Sequence, residues 1–148
     1  MFGSTLANDL TGNTDTNLHA QWTTFIVDDF EIGIEGAVWA IFQGDNTIAI
    51  SSSLVMRYHF YQGTRFSIFA EAGLGLMAAA DTVPDMGTGF NFMPRLGGGF
   101  TYRLDGTGST RLIAGLRWHH ISNARINGEA RNPSRDAPGF YAGVLFDF

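Results

Sequence analysis

Phe30-Glu31-Ile32-Gly33-Ile34-Glu35-Gly36-Ala37-Val38 is the stretch that decides the fold. Its even positions carry Phe, Ile, Ile and Val, while Glu31 and Glu35 stand on odd ones. Side chains of a β-strand point alternately to opposite faces, so this period of two separates an apolar face from a charged one. The glycines inside it are poor helix material.

The same parity runs outward from this stretch along nearly the whole chain. Even positions hold Leu18, Trp22, Ile26, Phe42, Ile48, Ile50, Leu54, Phe60, Phe66, Leu74, Leu76, Phe90, Leu96, Phe100, Leu112, Leu116, Trp118, Phe140, Val144, Phe146 and Phe148. Odd positions hold Ser51, Arg57, His59, Glu71, Arg95, Arg103, Arg111, Arg117 and Asp147. Strands are expected at roughly 2–8, 17–27, 30–43, 47–61, 64–78, 88–104, 109–122 and 138–148. The expected fold is an all-β, eight-stranded, antiparallel up-and-down transmembrane β-barrel occupying residues 1–148 as one domain.

Composition narrows the class. The 148 residues include 19 Gly and 13 Phe, and only 16% are charged; all nine basic residues are Arg. No apolar run approaches the length of a spanning helix. Cysteine is absent, which removes disulfides and thiol chemistry. A net charge of −5 without a basic stripe argues against a nucleic-acid partner. Met1-Phe2-Gly3 does not open a charged and then apolar leader, so the expectation is a mature chain whose signal peptide has been removed.

A soluble lipocalin-like barrel would also alternate, with its apolar face inward. Here the odd face mixes Glu, Arg and Gly, as a narrow lumen of paired charges requires, and the even face is bulky and uncharged, as lipid requires. Turn lengths point the same way. The connections Asp28-Asp29, Gln62-Gly63 and Asp105-Gly106-Thr107-Gly108 are short and turn-rich, as periplasmic turns are. On the opposite, external side the connections are expected at 9–16, 79–87 and 123–137, with only Gly44-Asp45-Asn46 short. The alternating row ending on Phe148 resembles the terminal strand of barrels inserted into the bacterial outer membrane.

Chemistry concentrates at the end of the seventh strand, Arg117-Trp118-His119-His120-Ile121-Ser122-Asn123-Ala124. Parity puts His120 and Ser122 on the lipid face, at the external rim where the desolvation cost is smallest. Positions i and i+2 lie about 6.6–6.8 Å apart along a strand, so an imidazole leaning along it can reach the hydroxyl. That suits a His base and a Ser nucleophile. The following loop offers Glu129 and Asp136 as the orienting acid, and Asp136 precedes the strand that returns beside the seventh. His119 and His59 have lumen parity and read as hydrogen-bonding residues; His19 belongs to the rim or lumen. Opposite parity separates His119 from His120, and no carboxylate stands at ligand spacing, so no metal is expected.

His120-Ile121-Ser122-Asn123-Ala124, followed by Asn132-Pro133-Ser134-Arg135-Asp136, resembles the signature of PagL-type lipid A 3-O-deacylases. Looser likeness extends upstream through Ala70-Glu71-Ala72-Gly73-Leu74-Gly75, Gly89-Phe90-Asn91-Phe92 and Gly97-Gly98-Gly99, so that residues 66–148 carry it. The resemblance implies Ser122 as nucleophile, His120 as base and Asp136 as acid, where the family's best-known member has Glu. It implies Asn123 and the amides of Ala124 and Arg125 as oxyanion donors. Arg125 departs from the glycine common after that Ala, and the loop from Ile126 to Arg131 is longer than usual, which keeps Glu129 as a substitute acid. Arg131 and Arg135, with Arg125, become candidates for lipid A phosphates.

The expected function is therefore an outer-membrane serine esterase that removes the 3-O-linked acyl chain of lipid A, the anchor of lipopolysaccharide, without a cofactor. A homodimer is compatible with the sequence. The rival is a non-enzymatic small barrel, structural or surface-interacting, in which Ser122, His120 and Asp136 would not converge. Acyl transfer between lipids would need an acyl-measuring pocket inside the barrel, which a charged lumen disfavours.

Overall fold

The computed structural model describes residues 1–104, 106 and 109–146. Eight strands follow in order: β1 (Phe2–Asn8), β2 (Thr14–Val27), β3 (Phe30–Phe42), β4 (Thr47–Gln62), β5 (Phe66–Val83), β6 (Thr88–Arg103), β7 (Thr110–Ile121) and β8 (Arg135–Phe146). Each pairs antiparallel with its sequence neighbour, and β1 pairs with β8 to close the barrel. A 3₁₀ turn at Glu129–Arg131 lies in the connection between β7 and β8. Asp105, Thr107 and Gly108 of the expected turn, and Asp147 and Phe148 of the expected terminal row, lie outside the described residues.

The strand edges differ from expectation at one end of the barrel. β2 begins at Thr14, β5 runs to Val83 and β8 begins at Arg135. Connections expected at 9–16, 79–87 and 123–137 therefore shrink to 9–13, 84–87 and 122–134. Beyond the apolar band the inner face mixes charged and apolar residues, so alternation fades from the sequence while pairing continues, as in Asp15↔Ile41 and Ile121↔Arg135. The length asymmetry between the two ends comes chiefly from 122–134. That end is called the loop end below, and the other the turn end.

Even-numbered side chains face outward. Leu18, Trp22, Ile34, Val38, Ile50, Leu74, Leu96, Leu116 and Phe140 are all exposed. An apolar surface this continuous is incompatible with water and matches hydrocarbon. Parity breaks near both ends: register shifts at Phe25/Val27 and His59/Tyr61 turn Phe25 and Tyr61 outward at the turn end, and a shift between Ala78 and Val83 accompanies the burial of Thr88 at the loop end.

Odd-numbered side chains fill the lumen. Near the loop end Trp39, Ile41, Met77, Val83, Met93 and Ile121 form an apolar layer. Met1, Phe69, Ile113 and Tyr141 form another toward the turn end. Between them the glutamates and arginines pair: Arg57 with Glu71 at 2.8 Å, Arg117 with Glu71 at 2.8 Å and with Glu35 at 3.5 Å, and Arg95 with Glu35. Arg57 also reaches Glu31 at 3.4 Å, and His59 shares that carboxylate at 3.2 Å. Two rings complete the packing, Phe69 under Arg57 and Tyr141 under Arg117. They fit because Gly99 and Gly115 face each other across β6 and β7. A Cβ on Gly99 would sit 3.0 Å from the Phe69 ring, and one on Gly115 would sit 2.9 Å from that of Tyr141.

Candidate active site

β7 and β8 bring His120 and Asp136 together. The two are register partners, both on the outer face, one residue in from the ends of their strands. His120 Nδ1 lies 2.9 Å from Asp136 Oδ1. A carboxylate can only accept, so Nδ1 carries the proton, and in the neutral ring Nε2 is then the nitrogen with the lone pair. The side chains are 26% and 55% exposed, which leaves the imidazole edge open. Trp118, two residues earlier on the same face, flanks the ring with centroids 6.0 Å apart.

Ser122 follows β7 directly. Its backbone exchanges two hydrogen bonds with Phe92: Ser122 N–H donates at 3.1 Å and Phe92 N–H donates back at 2.7 Å. This bridge continues the β6–β7 register that formally ends at Arg95↔His119. Pro94, which has no N–H, stands opposite His120 in that register and interrupts the ladder there. Ser122 thus keeps the parity of His120, two residues along. Among the described residues, no hydrogen bond joins the Ser122 hydroxyl to His120.

Asn123 is buried and knits the loop together. Its side-chain amide donates to Thr88 Oγ1 at 3.0 Å and to the Arg131 carbonyl, its Oδ1 accepts from Arg125 N–H at 2.9 Å, and its own N–H donates to Asn132 Oδ1 at 2.9 Å. Both amide hydrogens are therefore committed, and so is Arg125 N–H. Two of the three expected oxyanion donors, the Asn123 side chain and the Arg125 amide, hold the loop instead. Ala124 N–H is the donor of that set with no partner among the described residues. Thr88 and Asn132, given no role in the sequence reading, are the groups that fix Asn123. The Asn-Pro dipeptide at 132–133 was a local signal for Asn132; Thr88 had none.

Ala124 and Arg125 have φ of 52° and 63°, and Ile126 N–H closes the turn onto the Asn123 carbonyl at 3.1 Å. Arg125 thus adopts the left-handed backbone that glycine would take there, which answers how the departure from glycine is accommodated. Glu129 pairs with Arg125 at 3.5 Å, both well exposed, so the carboxylate on His120 is that of Asp136.

Of the three candidate phosphate ligands, Arg131 and Arg135 part company. Arg131 ends the 3₁₀ turn with its side chain exposed. Arg135 is buried in the lumen, with Nη1 2.8 Å from Asp15, Nη2 2.6 Å from Gln43 and Nε 3.4 Å from Asp9. It cannot contact a lipid phosphate. The correction follows from the strand edge: β8 begins at Arg135, and odd parity turns that residue inward. His119 and His59 occupy the lumen as their parity requires, on Asp15 and on Glu31 with Ser67, and His19 joins them beside Asn17. No cluster of metal-ligating side chains occurs among the described residues.

Below the His120 and Trp118 rings the outer wall is concave. Leu96, Leu116, Trp118, Pro138 and Phe140 rise around the backbone of Gly97, Gly98 and Gly139, and the outward-facing Gly98 has no side chain to fill the floor.

A closed eight-stranded barrel with an apolar outside and a charge-paired inside is an outer-membrane β-barrel protein. The lipid A 3-O-deacylase (PagL) family model matches residues 10–144, and the chain belongs to that family, a family of hydrolases. The crystal structure of the outer membrane enzyme PagL superposes with a TM-score of 0.79 at 18% identity, covering 99% of both chains. The crystal structure of Neisserial surface protein A superposes with a TM-score of 0.67 at 16% identity, covering 99% of this chain and 93% of that one. At such identities both show the fold. Comparison with curated proteins finds no match.

Proposed function

We propose that this protein hydrolyses the 3-O-linked acyl ester of lipid A with Ser122 as nucleophile, His120 as general base and Asp136 as orienting acid, at the external rim of the barrel. The observation that carries the reading is the 2.9 Å contact from His120 Nδ1 to Asp136 on the outer face. It leaves Nε2 directed away from the acid and available to a proton on Ser122. The family supplies the substrate class. Because an inert barrel such as a surface protein shares the fold, the barrel alone does not distinguish the two; the His–Asp pair favours the enzyme.

Ser122 Oγ attacks the ester carbonyl carbon as its proton passes to His120 Nε2. The carbonyl oxygen becomes an oxyanion, for which Ala124 N–H is the backbone donor left unengaged. Collapse breaks the bond to the sugar 3-oxygen, which takes the proton from His120 and leaves as the 3-hydroxyl. Water then attacks the acyl-serine, giving its proton to His120 and releasing a free hydroxy fatty acid and the serine hydroxyl. Asp136 holds the tautomer and offsets the imidazolium charge in both halves.

A lipid A molecule in the outer leaflet presents its ester at the interface, level with Ser122, and the depression floored by Gly97, Gly98 and Gly139 receives the acyl chain. Arg131 and Arg125 lie on the loop side of the pair, where phosphates would be. Every proposed residue comes from one copy, so a homodimer is not required. The purified barrel, incubated with lipid A, should release one hydroxyacyl chain by mass spectrometry, and Ser122→Ala should abolish the release. Undiminished release by folded Ser122→Ala would remove the nucleophile assignment.

A further inference from the structure

We propose that Asp15 is a positioning residue for this reaction, tying β7 to β8 from inside the barrel directly behind His120 and Asp136. The proposal rests on the triad reading above. Successive strand residues alternate faces, so the inner-face neighbours of the pair are His119 and Ile121 on β7 and Arg135 and Ala137 on β8. Asp15, on β2, reaches both strands with one carboxylate: Oδ2 lies 3.1 Å from His119 Nε2, and Oδ1 lies 2.8 Å from Arg135 Nη1. One link therefore sits next to the proposed base and the other next to the proposed acid.

The bridge is protected where the pair it supports is not. The side chains of Asp15, His119 and Arg135 are at most 2% exposed, against 26% and 55% for His120 and Asp136. A hydrogen bond open to water holds two strands weakly, while a charge-assisted one out of water holds them firmly. The bridge is also braced. Arg135 is gripped by Gln43 and Asp9, Gln43 donates to the Thr82 carbonyl at 2.8 Å, and the Trp39 ring meets the His119 ring edge-on at 5.4 Å. On the other flank of β7, Pro94 opposite His120 has no N–H to donate, while Ser122 and Phe92 exchange two backbone bonds two residues further along. The β7–β8 ladder sets the register of His120 on Asp136, and the Asp15 bridge braces that rim from within.

The test is a double-mutant cycle in the full-length barrel folded in lipid, with kcat and KM for lipid A deacylation. Asp15→Ala removes both links, and the expected result is a fall in kcat of about ten- to a hundredfold, as for a displacement near 1 Å, with KM within about twofold. Asp15→Asn, which can accept from Arg135 and donate to His119, should restore kcat to within about threefold of the original. In an Asp136→Asn background Asp15→Ala should lower kcat by less than about twofold, because the contact it orders is already spoiled. Equal losses in both backgrounds, or a folded Asp15→Ala with kcat within about twofold of the original, would overturn the proposal. If Asp15→Ala does not fold, Arg135→Gln enters the same cycle under the same criteria. An activity-free readout accompanies it: the Nδ1–H resonance of His120, moved downfield by its bond to Asp136, should lose that displacement in Asp15→Ala. If Ser122→Ala and Asp136→Asn leave activity intact, the triad reading fails. That resonance then decides the bridge by itself, with an unchanged signal counting against it.

Discussion

Replacing Glu71 with Gln keeps the volume of the side chain and removes the charge at the centre of the lumen network. Glu71 is fully buried and binds two guanidiniums, accepting from Arg57 Nε at 2.8 Å on one oxygen and from Arg117 Nε at 2.8 Å on the other. After the change Arg57 retains Glu31 at 3.4 Å and Arg117 retains Glu35 at 3.5 Å, both longer and less direct. The amide oxygen can keep one of the two bonds in neutral form, but the amide NH₂ then points its hydrogens at the other guanidinium. A hydrogen bond to a charged group contributes about 1.5–3 kcal/mol. Losing one, weakening the second and leaving an arginine undercompensated gives about 3–5 kcal/mol, the range for removing one partner of a buried ion pair. Against a total stability of about 5–15 kcal/mol this is a large fraction. With a urea slope of about 1–3 kcal/mol per molar, the equilibrium midpoint in phospholipid vesicles should drop by roughly 1–5 M. Lipid A deacylation at low denaturant should persist, since Glu71 lies on the inner face and away from His120. A loss below about 1 kcal/mol would show that lumen waters replace the carboxylate at little cost and that these pairs do not hold the barrel.

Three further outcomes follow from the loop end. Arg131→Ala should raise KM for lipid A and weaken its salt dependence with folding intact, whereas Arg135→Ala should lower the urea midpoint by about 3 kcal/mol equivalent, because it strands Asp15 and Asp9; equal effects on KM would return Arg135 to the substrate. Arg125→Gly should stabilise the barrel by about 1 kcal/mol by relieving the left-handed backbone at that position, read in the same urea titration; no gain would mean that the Arg125–Glu129 pair offsets the strain. Asp9 is pushed upward by desolvation, but hydrogen bonds from the side chains and amides of Asn13 and Thr11 outweigh this and hold its carboxyl down at about 2 from an ordinary 3.8. A depressed acid contributes stability above its unfolded value and loses it as pH falls through the folded one. Amide exchange in 9–13 should therefore stay slow from neutrality to below pH 3.8 and quicken toward pH 2; quickening already near pH 5 would refute the assignment.

The barrel was legible because hydrocarbon imposes one rule on every strand it touches. Where Leu, Ile and Phe must alternate with lumen residues, parity alone separates Glu35 from Ile34 and His119 from His120. The rule lapses above the apolar band. There Asp15 and Arg135 looked like loop residues, though both belong to strands, and their inward direction and mutual contact were hidden. The approach of Asp136 to His120 was foreseeable because an antiparallel neighbour must return beside β7. Asn123 was not: its partner Thr88 is 35 residues away on another strand, and no local pattern announces which hydroxyl will meet an amide. Oxyanion donors were similarly hard to choose, because a backbone N–H is recognised as free only once the loop's other bonds are known.

The contents of the lumen bear directly on where an acyl ester could react. Three glutamates and three arginines, interlocked at mid-height and roofed by Trp39, Met77, Met93 and Ile121, leave the interior without an apolar channel for a fatty chain. Threading a chain through would strip those charges of partners, each at a cost of several kcal/mol, on the order of 3–5 per broken pair. On the outer wall the same chain exchanges one hydrocarbon contact for another and loses almost nothing. An enzyme built on this barrel must therefore work from its outside, with polar catalytic groups confined to the narrow zone where lipid ends. Among the described residues, His120 and Asp136 form a His–carboxylate pair on the outer face, and Ser122 follows His120 by two residues at the end of β7. Under the proposed reading this confinement divides the labour: the lipid-facing side would carry the reacting groups, and the lumen bonds of Asp15 to His119 and Arg135 would brace them from within.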